Sequence, residues 1–398
     1  MKLKLPARRT LLRAALPGLL LGSWLIHTPA FAQECTVKLG AAGPMTGAAA
    51  AWGLAIKAGT EFEAAWANSN GGVQVGAQKC KVTVTSVDAL STAAGGAAAS
   101  NTLASQGIHL VIGPVPAPEA AGFKPVAKRN SQLFFTTTFA ADAIGPDYPL
   151  GFQNQLPPAA WAPTALKIVK DRFHLKTVVV VGPNDQGGTD PGNALLKYYG
   201  EAGVKGSTEW YQRGTMNFAA IATRVVGMNP DAIELGPMPP GEATVFVKQL
   251  KDAGYKGVFG RMGTGAEQII TGLGGEQNVG TMYSWNAVPT EDPGIQKLNA
   301  DYERVMKAPI PQNSILYCAE LSAEQILRAV TRAGTADDAE KIAAELRKVQ
   351  PESRYLGKGA WRGKSMYGSN QQLAFPIGIS FIVAGKKQPQ LRVEVPGE

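Results

Sequence analysis

The sequence predicts an α/β protein of two doubly wound parallel-sheet lobes. Short apolar runs alternate with helically spaced apolar residues from residue 37 onward, and that alternation has the spacing of parallel βαβ units. The chain is 398 residues long, more than a single core usually organises. Val37-Lys38-Leu39-Gly40 reads as the first strand. It stops at the small-residue turn Gly43-Pro44-Met45-Thr46-Gly47, and from Trp52 apolar residues recur through Ile56, Phe62 and Trp66 as a helix that Asn70-Gly71-Gly72 ends. Val82 to Asp88 is the second strand. An alanine-rich helix near Thr92 to Ser105, the strand His109 to Gly113, a helix starting near Pro118 to Glu119 and the strand Gln132 to Phe135 follow. After Phe152-Gln153-Asn154 a second series begins: helix Pro163 to Phe173, strand Thr177 to Val181, helix Gly192 to Gly200, strand Asp231 to Leu235, helix Glu242 to Ala253 and strand Val258 to Gly260. Thr281 to Pro289 leads to helices over Ser314 to Ala333 and Thr335 to Val349. Phe375 to Ala384 and Gln390 to Val395 form the tail.

Residues 1–32 read as a secretory signal peptide, not as part of the fold. Lys2, Lys4, Arg8, Arg9 and Arg13 precede the apolar run Ala14 to Ile26, and Ala30-Phe31-Ala32 is a small-x-small cleavage site. The general secretory and the twin-arginine routes both fit Arg8-Arg9-Thr10-Leu11-Leu12. Loss of these five basic residues takes the formal charge from +8 to +3, so the whole-chain basicity does not imply nucleic acid, and no basic run with interleaved aromatics remains. Cys35 and Cys80 each lie two residues before the first valine of a predicted strand. If those strands are parallel neighbours, the sulfurs lie side by side and a disulfide is expected in an exported protein; two free buried thiols is the alternative. Cys318 falls on a predicted helix as a small core residue.

Enzyme chemistry finds little support. His109 and His174 are the two histidines beyond residue 32, and both sit at or before the start of a predicted strand. The nucleophile elbow, the phosphate loop, the zinc-binding H-E-x-x-H helix and the CxxC pair have no match, and neither cofactor nor metal is expected.

The residues G-P-M-T-G…W-G followed by N-S-N-G-G-V-x-V-G resemble the opening of the periplasmic branched-chain amino-acid-binding protein family, the solute receptors of ABC importers. The resemblance runs through most of the chain. It implies a type I periplasmic binding protein with a three-strand hinge. Residues 33–154 plus 288–356 then make lobe 1, residues 155–287 plus 357–398 make lobe 2, and the crossings fall near Asn154, Ala287 and Gly357. Ligands of open parallel sheets bind outside the carboxyl ends of the strands, so the loops there form the expected clamp. In lobe 1 they are Gly43 to Gly53, Gly113 to Glu119 and Thr136 to Ala141; in lobe 2, Gly182 to Thr189, Gly236 to Gly241 and Arg261 to Gly265.

Relative to the amino-acid receptors, the site is altered. Where the family carries a run of serines or threonines, this chain has Gly113-Pro114-Val115-Pro116-Ala117-Pro118-Glu119, poor in donors. Pro118 fits a first helical turn, which leaves the amides of Ala117 and Glu119 facing the cleft. Thr137, Thr138 and Phe139 fall in the family's following Ser-Pro-x-Ala-Thr segment. Gln186 replaces a tyrosine before Gly187, and Arg261-Met262 stands where an acid takes the ligand's ammonium. Trp52 matches an aromatic position of the family's ligand wall, while Trp161 and Met238 are either wall or ordinary packing. The swap of acid for guanidinium points to an apolar or aromatic ligand with one acidic end, held by Arg261, unless Arg261 leans out to Glu267.

The expectation is thus an exported monomer that captures a small carboxylate in the periplasm and delivers it to an ABC permease in the inner membrane, with no nucleic-acid partner. The alternatives are a sensor for a membrane receptor, a branched-chain amino-acid binder, and an enzyme whose base is Asp185, Asp190 or Glu119.

Overall fold

In the computed structural model the described residues are 35–395 except Pro237. The signal-peptide reading of residues 1–32 lies outside them. Two large sheets and the helices packed on them make up the molecule. Strands β1 (Thr36–Gly43), β2 (Val73–Val75), β3 (Gln78–Asp88), β4 (Leu110–Ile112), β5 (Leu133–Thr136) and β6 (Gly151–Gln153) alternate with helices α1 (Ala50–Ser69), α2 (Ala93–Ser105) and α3 (Ala117–Arg129). The second series holds α4 (Pro158–Phe173), β7 (Thr177–Pro183), α5 (Gln186–Glu201), β8 (Lys205–Tyr211), α6 (Ala219–Gly227), β9 (Ala232–Glu234), α7 (Pro240–Asp252), β10 (Val258–Arg261), α8 (Ala266–Gly272), α9 (Glu276–Val279) and β11 (Met282–Asn286). Helices α10 (Pro293–Met306), α11 (Ile315–Ala333) and α12 (Ala339–Lys348) follow, then β12 (Glu352–Ser353), β13 (Gly357–Lys358), β14 (Ala360–Arg362), α13 (Lys364–Tyr367), β15 (Gln372–Ala374), β16 (Ile377–Val383) and β17 (Lys386–Val393).

The first sheet has the order β14-β15-β6-β5-β4-β1-β3-β2 and the second β17-β16-β11-β10-β9-β7-β8. The pairs β1/β3, β1/β4, β4/β5, β5/β6, β7/β8, β7/β9, β9/β10 and β10/β11 are parallel. The inner strands are apolar on both faces because helices cover both: Leu110, Val111 and Ile112 of β4, like Val180 and Val181 of β7, have at most 1% of their surface exposed. Strand order reverses between β1 and β4 in one sheet and between β7 and β9 in the other, which places the ligand crevice of each lobe at the ends of those strands.

β1 and β3 align Thr36 with Lys81, so the preceding residues stand opposite each other, and Cys35 and Cys80 are joined as a disulfide with Cα atoms 4.6 Å apart. Helix α1 packs along α11 at Gly59, where an added Cβ would lie 2.2 Å from the Leu316 carbonyl oxygen. Just before α11, Asn313 Nδ2 donates to the Ala51 carbonyl at 3.2 Å, which brings the first turns of both helices to the same end of the lobe.

The third crossing does not fall near Gly357. Gly357, at φ +72°, opens β13 of the short antiparallel β12/β13 ladder, and β14 and β15 then complete the first sheet, with Gln372 opposite Gln153. Trp361 of β14 packs on Phe152 with ring centroids 5.5 Å apart, closing that edge. The chain passes to the second sheet only between Ala374 and Ile377, after which β16 and β17 add antiparallel strands beside β11. The other two passages follow β6 and β11.

Candidate functional site

Between the two sheets' carboxyl ends lies a small cavity of about 40 Å³. Its first-lobe wall is Trp52 from α1, Val115, Pro116 and Ala117 after β4, Thr137, Thr138 and Phe139 after β5, and Ile315 from α11. Gln155 follows β6, and the second lobe adds Gly187, Arg213, Arg261, Gly263 and Thr264. The wall is set by the strand ends: the Pro114 carbonyl accepts from Thr136 Oγ1 (2.9 Å) and from the Thr137 amide (3.1 Å), locking the loop after β4 to the loop after β5. Ala117, Gly187 and Ile315 lie in the first turns of α3, α5 and α11, and Trp52 in that of α1. Four helix N-termini therefore direct their partial positive charge at one space.

Of the residues expected from sequence, Trp52, Ala117, Thr137, Thr138, Phe139 and Arg261 meet around this cavity. Four others lie elsewhere. Trp161 is 1% exposed, stacks on Trp285 at 5.2 Å and donates its indole N–H to the Leu156 carbonyl, so it is core. It supports Phe139 from behind through Trp285, which meets Phe139 edge-on at 6.3 Å. Met238 and Met262 are buried in the second lobe. Gln186 reaches across the cleft and donates to Asp142 Oδ1 at 3.1 Å.

Arg261 has a different task from the one expected. It is fully buried, with Nη1 donating to the Gly236 carbonyl (2.7 Å), Nη2 to that of Met238 (2.7 Å) and Nε to that of Thr264 (3.0 Å). The guanidinium thus ties the loop after β9 to the loop after β10 and leaves no bidentate face for a ligand. Burial pulls it down to about 10, opposed by the charge of Glu234. Glu234, at the end of β9, does the complementary work: it accepts from the amides of Gly236 (3.1 Å) and Met262 (2.7 Å) and from Tyr199 Oη (2.8 Å), while burial raises its carboxyl.

Among the lining residues, the cation with an unpartnered donor is Arg213. Its Nε and Nη2 hold the carboxylate of Asp185 at 2.5 and 2.8 Å, whereas its Nη1 is buried without a partner. Trp52 Nε1, Thr137 Oγ1 and Gln155 Nε2, all lining residues, are likewise buried without partners. A buried donor left unpaired costs on the order of 1–3 kcal/mol, so four such donors around one void define what a ligand has to offer. Arg213 was missed because the strand before it, β8, is one of two elements between Gly200 and Asp231 that the periodicity did not reveal. A strand assigned at Lys205–Tyr211 would have made its following loop part of the rim.

The three carboxylates considered as bases are structural. Asp185 caps α5, accepting from the Gly188 amide at 3.2 Å, and pairs with Arg213. Asp190 accepts from the Ala141 amide across the cleft at 3.1 Å. Glu119 is buried and accepts from the Ser91 amide at 2.7 Å, and burial pushes its carboxyl up to about 8. Among the described residues no group of three or more metal-ligating side chains occurs, and no helix is long and apolar enough to cross a membrane.

The sequence profile of the periplasmic binding protein family matches residues 36–376. The Leu/Ile/Val-binding protein BraC3 of Rhizobium johnstonii is 28% identical over 347 residues, which cover 84% of this chain and 90% of that protein. Among solved structures, the leucine-binding protein LivK of Thermotoga maritima has a TM-score of 0.75 at 18% identity, covering 90% of this chain and 99% of its own. An ABC-transporter solute-binding protein from R. palustris in complex with benzoate has a TM-score of 0.72 at 16% identity, covering 90% and 98%.

Proposed function

The chain belongs to the periplasmic binding protein family, and on that premise we propose that this solute-binding protein captures a small apolar carboxylate without an α-ammonium group and presents it to an ABC import permease. The observation that carries the proposal is the set of four unpartnered buried donors, Trp52 Nε1, Thr137 Oγ1, Gln155 Nε2 and Arg213 Nη1, around one cavity. A carboxylate supplies acceptors for all four. An α-ammonium needs an anion, and no lining residue carries a carboxylate. Trp52, Val115, Phe139 and Ile315 favour an apolar body, with an aromatic ring well matched to Phe139 and Trp52. The void is close to one water's share of liquid volume, roughly 30 Å³, so the lobes part slightly to admit such a ligand.

A second reading, a branched-chain amino-acid binder, draws on the 28% identity to a Leu/Ile/Val-binding protein over most of both chains. The fold does not separate the two, since its neighbours include a leucine-binding protein and a solute-binding protein in complex with benzoate. A thermal-shift screen of benzoate, 4-hydroxybenzoate, phenylacetate, leucine, isoleucine and valine separates them. Stabilisation by one or more of the carboxylates with none by the amino acids is expected. Stabilisation by leucine in preference to every carboxylate would favour the second reading.

A further inference from the structure

The same cleft holds a second cavity, about 300 Å³, beside the first. The two are linked along the chain at two places: Ile315 of the first cavity follows Ser314 of the second, and Thr264 of the first stands two residues before Ala266 of the second. Its walls come from both lobes, with α8 and the β11/β16/β17 edge on one side, α10 and the segment before α11 on the other, and Glu291 from the second passage between the sheets.

The unpartnered atoms here include a carboxylate oxygen, which the first cavity lacks. Glu267 Oε2 has no partner, and Ser314, 1% exposed, has none for its Oγ. At the rim Gln268 donates its amide N–H to the Gln312 carbonyl across the cleft and leaves Oε1 unpartnered. Lys387 is engaged by Glu291 at 3.1 Å, so no basic side chain of the lining answers Glu267. Burial raises the Glu267 carboxyl, with Arg261 and Lys387 acting against it through space.

We propose that this second cavity binds a small primary ammonium compound, its N–H donors on Glu267 Oε2 and Ser314 Oγ and its carbon chain against Ile270, Met282 and Ile310. The volume suits a ligand of a few carbon atoms and falls at the lower end of small-molecule sites, roughly 300–1,000 Å³. Because both lobes and a connecting segment touch it, the occupant is linked to lobe closure.

The probe is n-butylammonium, titrated into the purified protein and followed by saturation-transfer NMR. Saturable binding is expected. A charge-assisted hydrogen bond accounts for a loss of about tenfold or more, so Glu267→Gln weakens the amine by at least that factor. Thr271→Arg, a substitution at an exposed lining position that leaves the interior untouched, places a cation at the mouth and abolishes binding. Absence of saturation transfer at high millimolar amine would overturn the proposal, as would binding that survives both substitutions.

Discussion

Two arginines lie on the same cavity and do different work, and the difference is set by where their N–H groups point. Arg261 spends its donors on three carbonyls of two loops. Arg261→Ala leaves those carbonyls and the neighbouring Glu234 without their cation, and a loss of about 3–5 kcal/mol in stability is expected, read as a lowered urea midpoint. A variant as stable as the parent would mean that the guanidinium is free for a ligand after all. Glu119 is the other residue whose protonation is readable. Its carboxyl, at about 8, lies above the ordinary 4.5 because burial disfavours the charge. The folded protein therefore holds a proton that the unfolded chain releases: the stabilisation is complete below about 4.5 and is lost as pH rises through about 8. Glu119→Gln keeps an acceptor and cannot ionise, so it flattens the decline in Tm between about pH 5 and 8. What remains is the contribution of the other carboxyls that burial raises, among them Glu63, Glu234, Glu242, Glu267 and Glu320. An unaltered slope would show that Glu119 ionises freely in the fold.

At the scale of elements, the long periodic pieces were readable and the short ones were not. The valine-rich strands and the helices beginning near Trp52 and Ser314 carry their own pattern, because burial on one or both faces selects residue type at every turn. Cys35 and Cys80 were readable too, since equal offsets from two parallel strands fix their neighbourhood. Mass spectrometry after alkylation without reductant should label Cys318 alone, and only after unfolding, because that thiol is buried. Labelling of Cys35 and Cys80 in unreduced protein would contradict the pairing. Reduction of the bond, which spans 45 residues, is expected to cost about 4 kcal/mol of stability. The strands β14 and β15, three residues each, are too short for a period to show, and they pair across the lobe only through tertiary contacts such as Gln372 with Gln153. That is why the third crossing was placed too early. Within the site, the loops after the recognised strands delivered Trp52, Ala117 and Thr137 through Phe139, whereas Trp161, Met238 and Met262 could not be told from core: an apolar residue near a rim reads the same whichever way it faces.

Across the cleft the two lobes are joined by contacts that include Gln186 with Asp142 and Asp190 with Ala141. The two helix N-termini beneath them meet so closely that a Cβ on Gly187 would lie 2.9 Å from the Ala117 Cβ. Gly187→Val should therefore prop the lobes apart with little effect on either core. Small-angle scattering would show a larger radius that ligand no longer reduces, and affinity should fall by about tenfold or more as the closed fraction falls. Normal compaction in this variant would place the hinge's closing contact elsewhere. The central claim, that donors around Arg213 hold a carboxylate, is tested most directly by calorimetric titration of the wild type and Arg213→Ala with benzoate and with leucine. Loss of a buried charged partner commonly costs about 2–5 kcal/mol, so benzoate should bind the wild type and weaken at least ~30-fold in the variant, with leucine silent in both. Tight leucine binding, or full benzoate affinity without Arg213, would contradict it.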